Sequence, residues 1–250
     1  MSISIQKANF WKRFSAWMVD VVLTIVLSMA FALGTSSILN YDKLYNEYIT
    51  IVTEYEKDFG VTLNQEEYDK LSDTDKQAYD AKKLEMQTAL SKDEKAMKLY
   101  ASINSLIFTI IGISLFLSIT VAHFIIPLFF KDGKTLGKKV FGLAVVRSNA
   151  VKLTAPILFT RSLIGLFAME TAAVIFLCTM GIVGVIAALA VLALQVFVMV
   201  KTPHNCAIHD LLADTVVVDY ASQRIFDTQE DFLAALAEEK AQEAAEAPYV

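Results

Sequence analysis

The sequence predicts an all-α fold: an integral membrane bundle of four spans, with an antiparallel helical hairpin outside the membrane between the first two. Three observations predict it. The 250 residues are 55% hydrophobic, above the roughly 45–50% of soluble domains, and the mean hydropathy is +0.48. Four stretches, approximately 12–35, 103–129, 158–178 and 181–200, are apolar enough to cross about 30 Å of hydrocarbon, which takes roughly 20 helical residues. Finally, charge is segregated along the chain. There are 14 acidic and 9 basic residues between Asn40 and Leu99, 7 basic and 1 acidic between Lys131 and Arg161, and 8 acidic and 2 basic from Asp219 onward.

These boundaries divide the chain into an N-terminus with the first span (1–39), a polar outer insert (40–99) and a second span (100–130). A basic loop (131–157), a third and fourth span (158–200), a His-Asp segment (201–221) and an acidic tail (222–250) follow. The first span opens with Phe10-Trp-Lys-Arg-Phe-Ser-Ala-Trp-Met-Val-Asp20, whose aromatic residues suit an interfacial belt. Arg13 and Asp20 are seven residues apart, close to two turns, so both lie on one face about 10 Å apart along the axis. An ionised Asp in hydrocarbon costs several kcal/mol unless it is paired, wet or protonated. Ala30-Phe31-Ala32 resembles a signal-peptide cleavage site, but an Asp inside the apolar region argues for an uncleaved anchor.

In the outer insert, Tyr41, Tyr45, Tyr48, Val52 and Tyr55 recur at the spacing of a helix-packing seam. Tyr79, Met86, Leu90, Met97 and Tyr100 continue that register on the returning side, Gly60 and Asn64 lie between, and Ser72 and Asp73 suit a helix cap. The third and fourth spans are separated only by Thr179-Met180-Gly181 and read as a tight hairpin; one bent, partly re-entrant element is the other reading. Basic residues before the first span and in the 131–157 loop place both termini and that loop in the cytoplasm by the positive-inside rule, and the acidic insert outside. The tail from Phe232 to Ala247 is rich in Ala and Glu, helix-prone and acidic, a solvated recognition helix.

Chemistry-bearing groups are few. The loop Lys131-Asp-Gly-Lys-Thr-Leu-Gly-Lys-Lys-Val-Phe-Gly142 is rich in Gly and Lys, but its order is not that of a Walker phosphate loop. It reads as an amphipathic surface element whose Lys134, Lys138 and Lys139 meet anionic lipid headgroups, each worth about 1 kcal/mol near the surface. His204, Cys206, His209 and Asp210 are metal-ligand types without a ligand spacing, so no metal and no cofactor is expected. Cys178 and Cys206 suggest no disulfide framework, and the basic block lacks interleaved aromatics for nucleic acid. No nucleophile–base pair stands out, so no catalytic residue and no enzyme is expected.

Three segments together resemble the RDD family of bacterial membrane proteins, named for one arginine and two aspartates. Arg13 and Asp20 match its first-helix pattern, Gly133-Lys-Thr-Leu-Gly-Lys-Lys with Gly142-Leu-Ala-Val-Val looks like its central loop, and His209-Asp210-Leu-Leu-Ala-Asp-Thr-Val-Val-Val is similar to its closing motif. The likeness covers about 10–39 and 101–218. Asp214 stands where a Gly is common, which leaves Asp210 and Asp214 both open as the second aspartate. The 40–99 insert exceeds the usual outer loop. The resemblance implies a multi-span protein of the bacterial inner membrane, with cation/proton exchange the usual suggestion.

Two functions follow as expectations. One is transport of a small cation or solute in exchange for protons, with Asp20 and Glu170 as the exchanging carboxylates and a homo-oligomer as the working unit. The other is an accessory or scaffold role, in which the outer hairpin and acidic tail dock a protein partner. Arg161 or Arg13 is expected to neutralise Asp20, with Asp210 taking the remaining arginine. His123, Gln195, His209 and Asp214 form a second tier of polar groups near the same end of the bundle.

Overall fold

The computed structural model describes residues 5–130 and 133–246, and the chain falls into two compact units, one made from residues 1–31 with 112–250 and the other from 32–111. Lys131, Asp132, Ala247 and the side chain of Cys178 lie outside the described residues, and with them those parts of the basic-loop, tail and cysteine expectations.

The structure is mainly helical. In chain order, α1 is Phe10–Ile38, α2 Tyr41–Asp58, α3 Gln65–Asp69, α4 Asp73–Leu90, α5 Glu94–Ile119, α6 Ile126–Phe130 and α7 Leu136–Val140. After strand β1, Leu143–Arg147, come α8 Ala155–Phe159, α9 Phe167–Thr179, α10 Gly181–Lys201 and α11 Ile208–Leu212, then strand β2, Thr215–Asp219, and α12 Gln229–Glu246. A π-helical stretch, Thr120–Ile125, joins α5 to α6, and a second, Thr160–Leu166, joins α8 to α9. Four helical runs among the described residues are long and apolar enough to cross a membrane: Phe10–Ile38, Glu94–Phe130, Ala155–Leu177 and Gly181–Lys201. Their side chains are largely exposed on the isolated chain, as helices solvated by lipid require.

Within the first unit, α9 and α10 form a helical hairpin turned at Met180 and at Gly181, whose φ is +52°. Their close approach depends on Gly184, where a Cβ would stand 1.8 Å from the Phe176 carbonyl oxygen.

A two-stranded antiparallel ribbon supplements the helical expectation. Leu143 pairs with Asp219 and Arg147 with Thr215, and isolated bridges add Lys7 against Val218 and Val151 against Phe226. Both faces of the ribbon are covered. Leu143, Val145 and Val217 pack with Ala8 and Ala16 on one face; Ala144, Val146, Val216 and Val218 pack with Cys206 on the other. Strands buried on both faces have no reason to alternate apolar with polar, so their sequence is an unbroken apolar run. The tail helix α12 is not wholly solvated: Phe232, Ala235 and Leu236 pack on Ala150, Val151 and Phe226.

The second unit has the helix start expected at Ser72 and a further one at Asn64, which the sequence places only in the turn. Asn64 and Glu67 form a reciprocal capping box at α3, and Ser72 caps α4 by accepting from the Asp75 amide. The returning register is interrupted, however: α4 ends at Leu90 and α5 starts at Glu94, with the Asp93 carboxylate accepting from the Ala96 amide. Tyr55 donates to Asp93 at 3.1 Å while the Tyr48 and Tyr100 rings lie 5.9 Å apart. Rising position on α2 therefore meets falling position on the chain at α5, an antiparallel pairing carried by the tyrosine seam.

Candidate functional site

The buried charges of the first unit form two nodes, both at the end of the helices that carries the ribbon. The first is built on α11. Asp210 occupies the third position of that short helix, and its Oδ2 accepts the Ala207 amide at 3.0 Å, so the carboxylate closes the helix start. Two arginines from distant elements then converge on it. Arg161 donates to Oδ1 through Nε at 3.0 Å and Nη2 at 2.6 Å, and Arg13 donates to Oδ2 through Nη2 at 2.9 Å. Asp210 is 0% exposed and Arg161 3%, so this triad lies in a low-dielectric interior. Burial alone would raise the Asp210 carboxyl; the Arg161 and Arg13 charges outweigh it and hold the group well below the usual carboxylate range.

His209 lies beside this triad with Nε2 3.6 Å from Asp210 Oδ1, while its Nδ1 is buried without a hydrogen-bond partner among the described residues. Burial pushes its imidazole down to about 3 despite the neighbouring carboxylate, so it is neutral at physiological pH. Gly165 makes room for it, since a Cβ there would stand 2.8 Å from the His209 Cβ.

The second node is built on α7. Thr135 caps that helix, and its hydroxyl donates to Asp20 Oδ2 at 2.5 Å while the Gly137 amide donates to Asp20 Oδ1 at 2.8 Å. Lys138 Nζ stands 3.6 Å from Oδ2. Asp20, 2% exposed, is thus bound by a helix start and one ammonium. Burial lowers the Lys138 amine to about 8, with Asp20 acting in the opposite direction. Gly137 permits the approach: a Cβ on it would lie 2.1 Å from the Ala16 carbonyl oxygen.

The pairing expected from sequence is therefore corrected. Both arginines serve Asp210, and Asp20 takes none. Asp210 offers Oδ1 to Arg161 and Oδ2 to Arg13, whereas the two oxygens of Asp20 are taken by the Gly137 amide and the Thr135 hydroxyl. Lys138 faces Asp20 rather than a lipid headgroup. Lys134 lies 3.2 Å from the Tyr220 ring centroid and Lys139 4.1 Å from that of Phe130, both cation–π distances. Asp214 is distinguished from Asp210 by its backbone: at φ +50° it is a turn residue, its side chain 64% exposed and 4.0 Å from Arg147. Cys206 is buried, with Sγ 3.6 Å from the Thr215 carbonyl oxygen, and burial raises its thiol out of the reactive range.

The two π-helical stretches meet between the nodes. Ser162 donates to the His123 carbonyl at 2.6 Å, His123 Nε2 lies 3.2 Å from Thr24 Oγ1, and Thr24 in turn donates to the Asp20 carbonyl at 2.8 Å. A π turn leaves backbone carbonyls out of the regular ladder, and here a neighbouring helix uses one. Thr24 and Ser162 were not singled out from sequence, and Thr135 and Gly137 stood out only as part of the Gly/Lys loop; the Thr-x-x-Lys start of α7 was the available signal for their role at Asp20. Glu170 on α9 and Gln195 on α10 are half-buried and carry no hydrogen bond or ion pair among the described residues. No group of three or more His, Cys, Asp or Glu residues among the described residues is placed to hold a metal ion.

A family model described as the RDD family matches residues 7–214, which takes in both nodes and the outer insert. No curated protein and no solved structure matches the chain.

Proposed function

We propose that this chain, which belongs to the RDD family, moves a small cation or solute across the bacterial inner membrane in exchange for protons, with Glu170 as the exchanging carboxylate. The observation that carries the reading is a contrast. Asp20 and Asp210 are each compensated by several donors, whereas Glu170 lies in an apolar helix with no protein counter-charge among the described residues. An ionisable group in a span without a partner calls for a proton or a cation to stand in for one. The compensated aspartates then serve the same protein as positioning groups that hold α7, α11 and the ribbon against the helices.

In this reading the basic loop and both termini face the cytoplasm, as the distribution of Lys and Arg supports. The working unit is a homo-oligomer, since four spans are few for a transporter. The exposed aliphatic face of α10, including Ile182, Ile186 and Leu189, offers a surface for a second copy or for lipid. The accessory reading draws support from the second unit, where Leu84 is 66% exposed on α4. The docked apolar side of α12 weakens the tail's part in it.

Proteoliposome flux tests the proposal. Alkali-cation-driven proton movement in wild-type vesicles, lost in Glu170→Gln protein of unchanged thermal midpoint, supports it. Wild-type vesicles that move no proton under gradients of any alkali cation, while a protein partner co-purifies through residues 40–99, favour the accessory role instead.

A further inference from the structure

The chain leaves α10 at Lys201 and turns back. The 21 residues of α10 cover about 31 Å, close to the thickness of the hydrocarbon core, so Lys201 marks one edge of that core. The close approach of Gly184 to the Phe176 carbonyl fixes a common level for α10 and the run before it. From that level Lys201 is about 25 Å along α10, whereas Gly165 is at most about 17 Å back from Phe176. The backbone of α11 lies against Gly165, where a Cβ would stand 3.1 Å from the His209 Cα. α11 therefore sits about 8 Å inside the level at which α10 ends. The reversal between them is made by Asn205, which takes φ +55° and donates its amide to the Thr202 carbonyl at 3.1 Å.

Backbone at that depth has to find its hydrogen bonds within the protein, and this stretch does. The Leu211 amide donates to the Ala207 carbonyl at 3.0 Å, and the Ala207 amide is taken by Asp210. Thr202 donates to the Cys206 carbonyl at 3.1 Å, Thr215 to the Asp210 carbonyl at 3.3 Å and Arg13 to the His204 carbonyl at 3.4 Å. Successive helical residues step round by about 100°. With Asp210 turned to the arginines and His209 to Gly165, Leu211 and Leu212 fall on the far side of α11, and they are 52% and 60% exposed. Ile164, next to Gly165 and at the same level, is exposed as well.

We propose that α11 is a re-entrant helix whose Leu211 and Leu212 are covered by lipid acyl chains. The surface they extend is the one that the exposed aliphatic residues of the third and fourth runs already present to lipid. The Asp210 triad then has a second consequence: it compensates the carboxylate and occupies the helix-start amide, the two groups that would keep such a segment out of hydrocarbon. The proposal rests on α10 crossing the membrane and is independent of transport.

Two labels on the wild-type protein in phosphatidylcholine nanodiscs, which are open to water on both faces, test it. The first is phosphatidylcholine carrying a diazirine on an acyl chain. Photolysis is expected to leave adducts on Leu211 or Leu212, in the tryptic peptide 202–224, as well as on α10; adducts on α10 with none at those leucines overturn the proposal. The second is hydroxyl radical from radiolysis of water. Leu212 and Leu84, 60% and 66% exposed on the isolated chain, are expected to part company, Leu84 being oxidised while Leu211 and Leu212 are spared. Oxidation of the pair as strong as that of Leu84 overturns the proposal. So does protection without lipid adducts, the result of a second copy covering them.

Discussion

Arg161 grips a single oxygen of Asp210 through two of its nitrogens, Nε at 3.0 Å and Nη2 at 2.6 Å, and leaves the other oxygen to Arg13. One carboxylate thereby ties the start of α1, the π-helical stretch before α9 and the helix that leads into β2. Removing its charge leaves two guanidinium groups facing each other in a site almost without water. Asp210→Asn is expected to cost about 3–5 kcal/mol, the scale for breaking a buried ion pair, and the drop in detergent thermal midpoint measures it. Arg161→Lys keeps the charge but loses the fork; its expected cost is smaller, with Asp210→Asn the more damaging of the two.

The Asp20 node rests on backbone proximity. Gly137→Ala places a methyl 2.1 Å from the Ala16 carbonyl oxygen, a backbone atom that cannot rotate away. The expected result is displacement of α7 from α1, at about 1–3 kcal/mol for an overpacked contact. Limited proteolysis should then cut within residues 131–147 faster than in wild type, while residues 40–99 keep their wild-type pattern.

The pH dependence follows from His209. Burial lowers its folded-state value to about 3 from an ordinary 6.5, so between those values the unfolded chain binds the proton and the folded one does not. Stability is therefore lost as pH falls through that window, by at most about 1.4 kcal/mol per pH unit. Asp210, also held low, adds to the same loss only below the ordinary carboxylate range. His209→Gln should flatten the midpoint-against-pH curve between pH 6.5 and 4 and leave its lower end in place. An unchanged slope in that variant would assign the acid limb to other groups.

Much of this was legible in the sequence, for reasons particular to each part. The spans show because lipid leaves a helix apolar on nearly all sides, as α10 is, and the cap at Ser72 shows because it is a local hydrogen bond. The ribbon was hidden by its own burial: Leu143–Val146 and Thr215–Val218 are covered on both faces, so no period-two pattern survives to announce strands. The identity of the charged residues was readable, but their partners were not. Depth along a span places Asp20 near Arg161, whereas the partner is decided by which elements the fold brings to each carboxylate, a helix start for Asp20 and two arginines for Asp210. Thr135 and Gly137 come from a segment far from Asp20 in sequence, and only the fold brings that helix start to it.

Asp20 and Glu170 differ in what surrounds them, and stability should separate them. Asp20→Asn keeps one carbonyl oxygen for the Gly137 amide but loses the charge that Thr135 and Lys138 meet. Hydrogen bonds to a charged group contribute about 1.5–3 kcal/mol each, so the variant should unfold at a clearly lower midpoint. Glu170→Gln removes no bond that the described residues make, because Glu170 makes none with them. Its midpoint should stay at or above that of wild type, since a neutral amide is easier to bury than a carboxylate that can ionise. A loss of stability in Glu170→Gln as large as that in Asp20→Asn would place Glu170 among the positioning groups and remove it as the exchanging carboxylate.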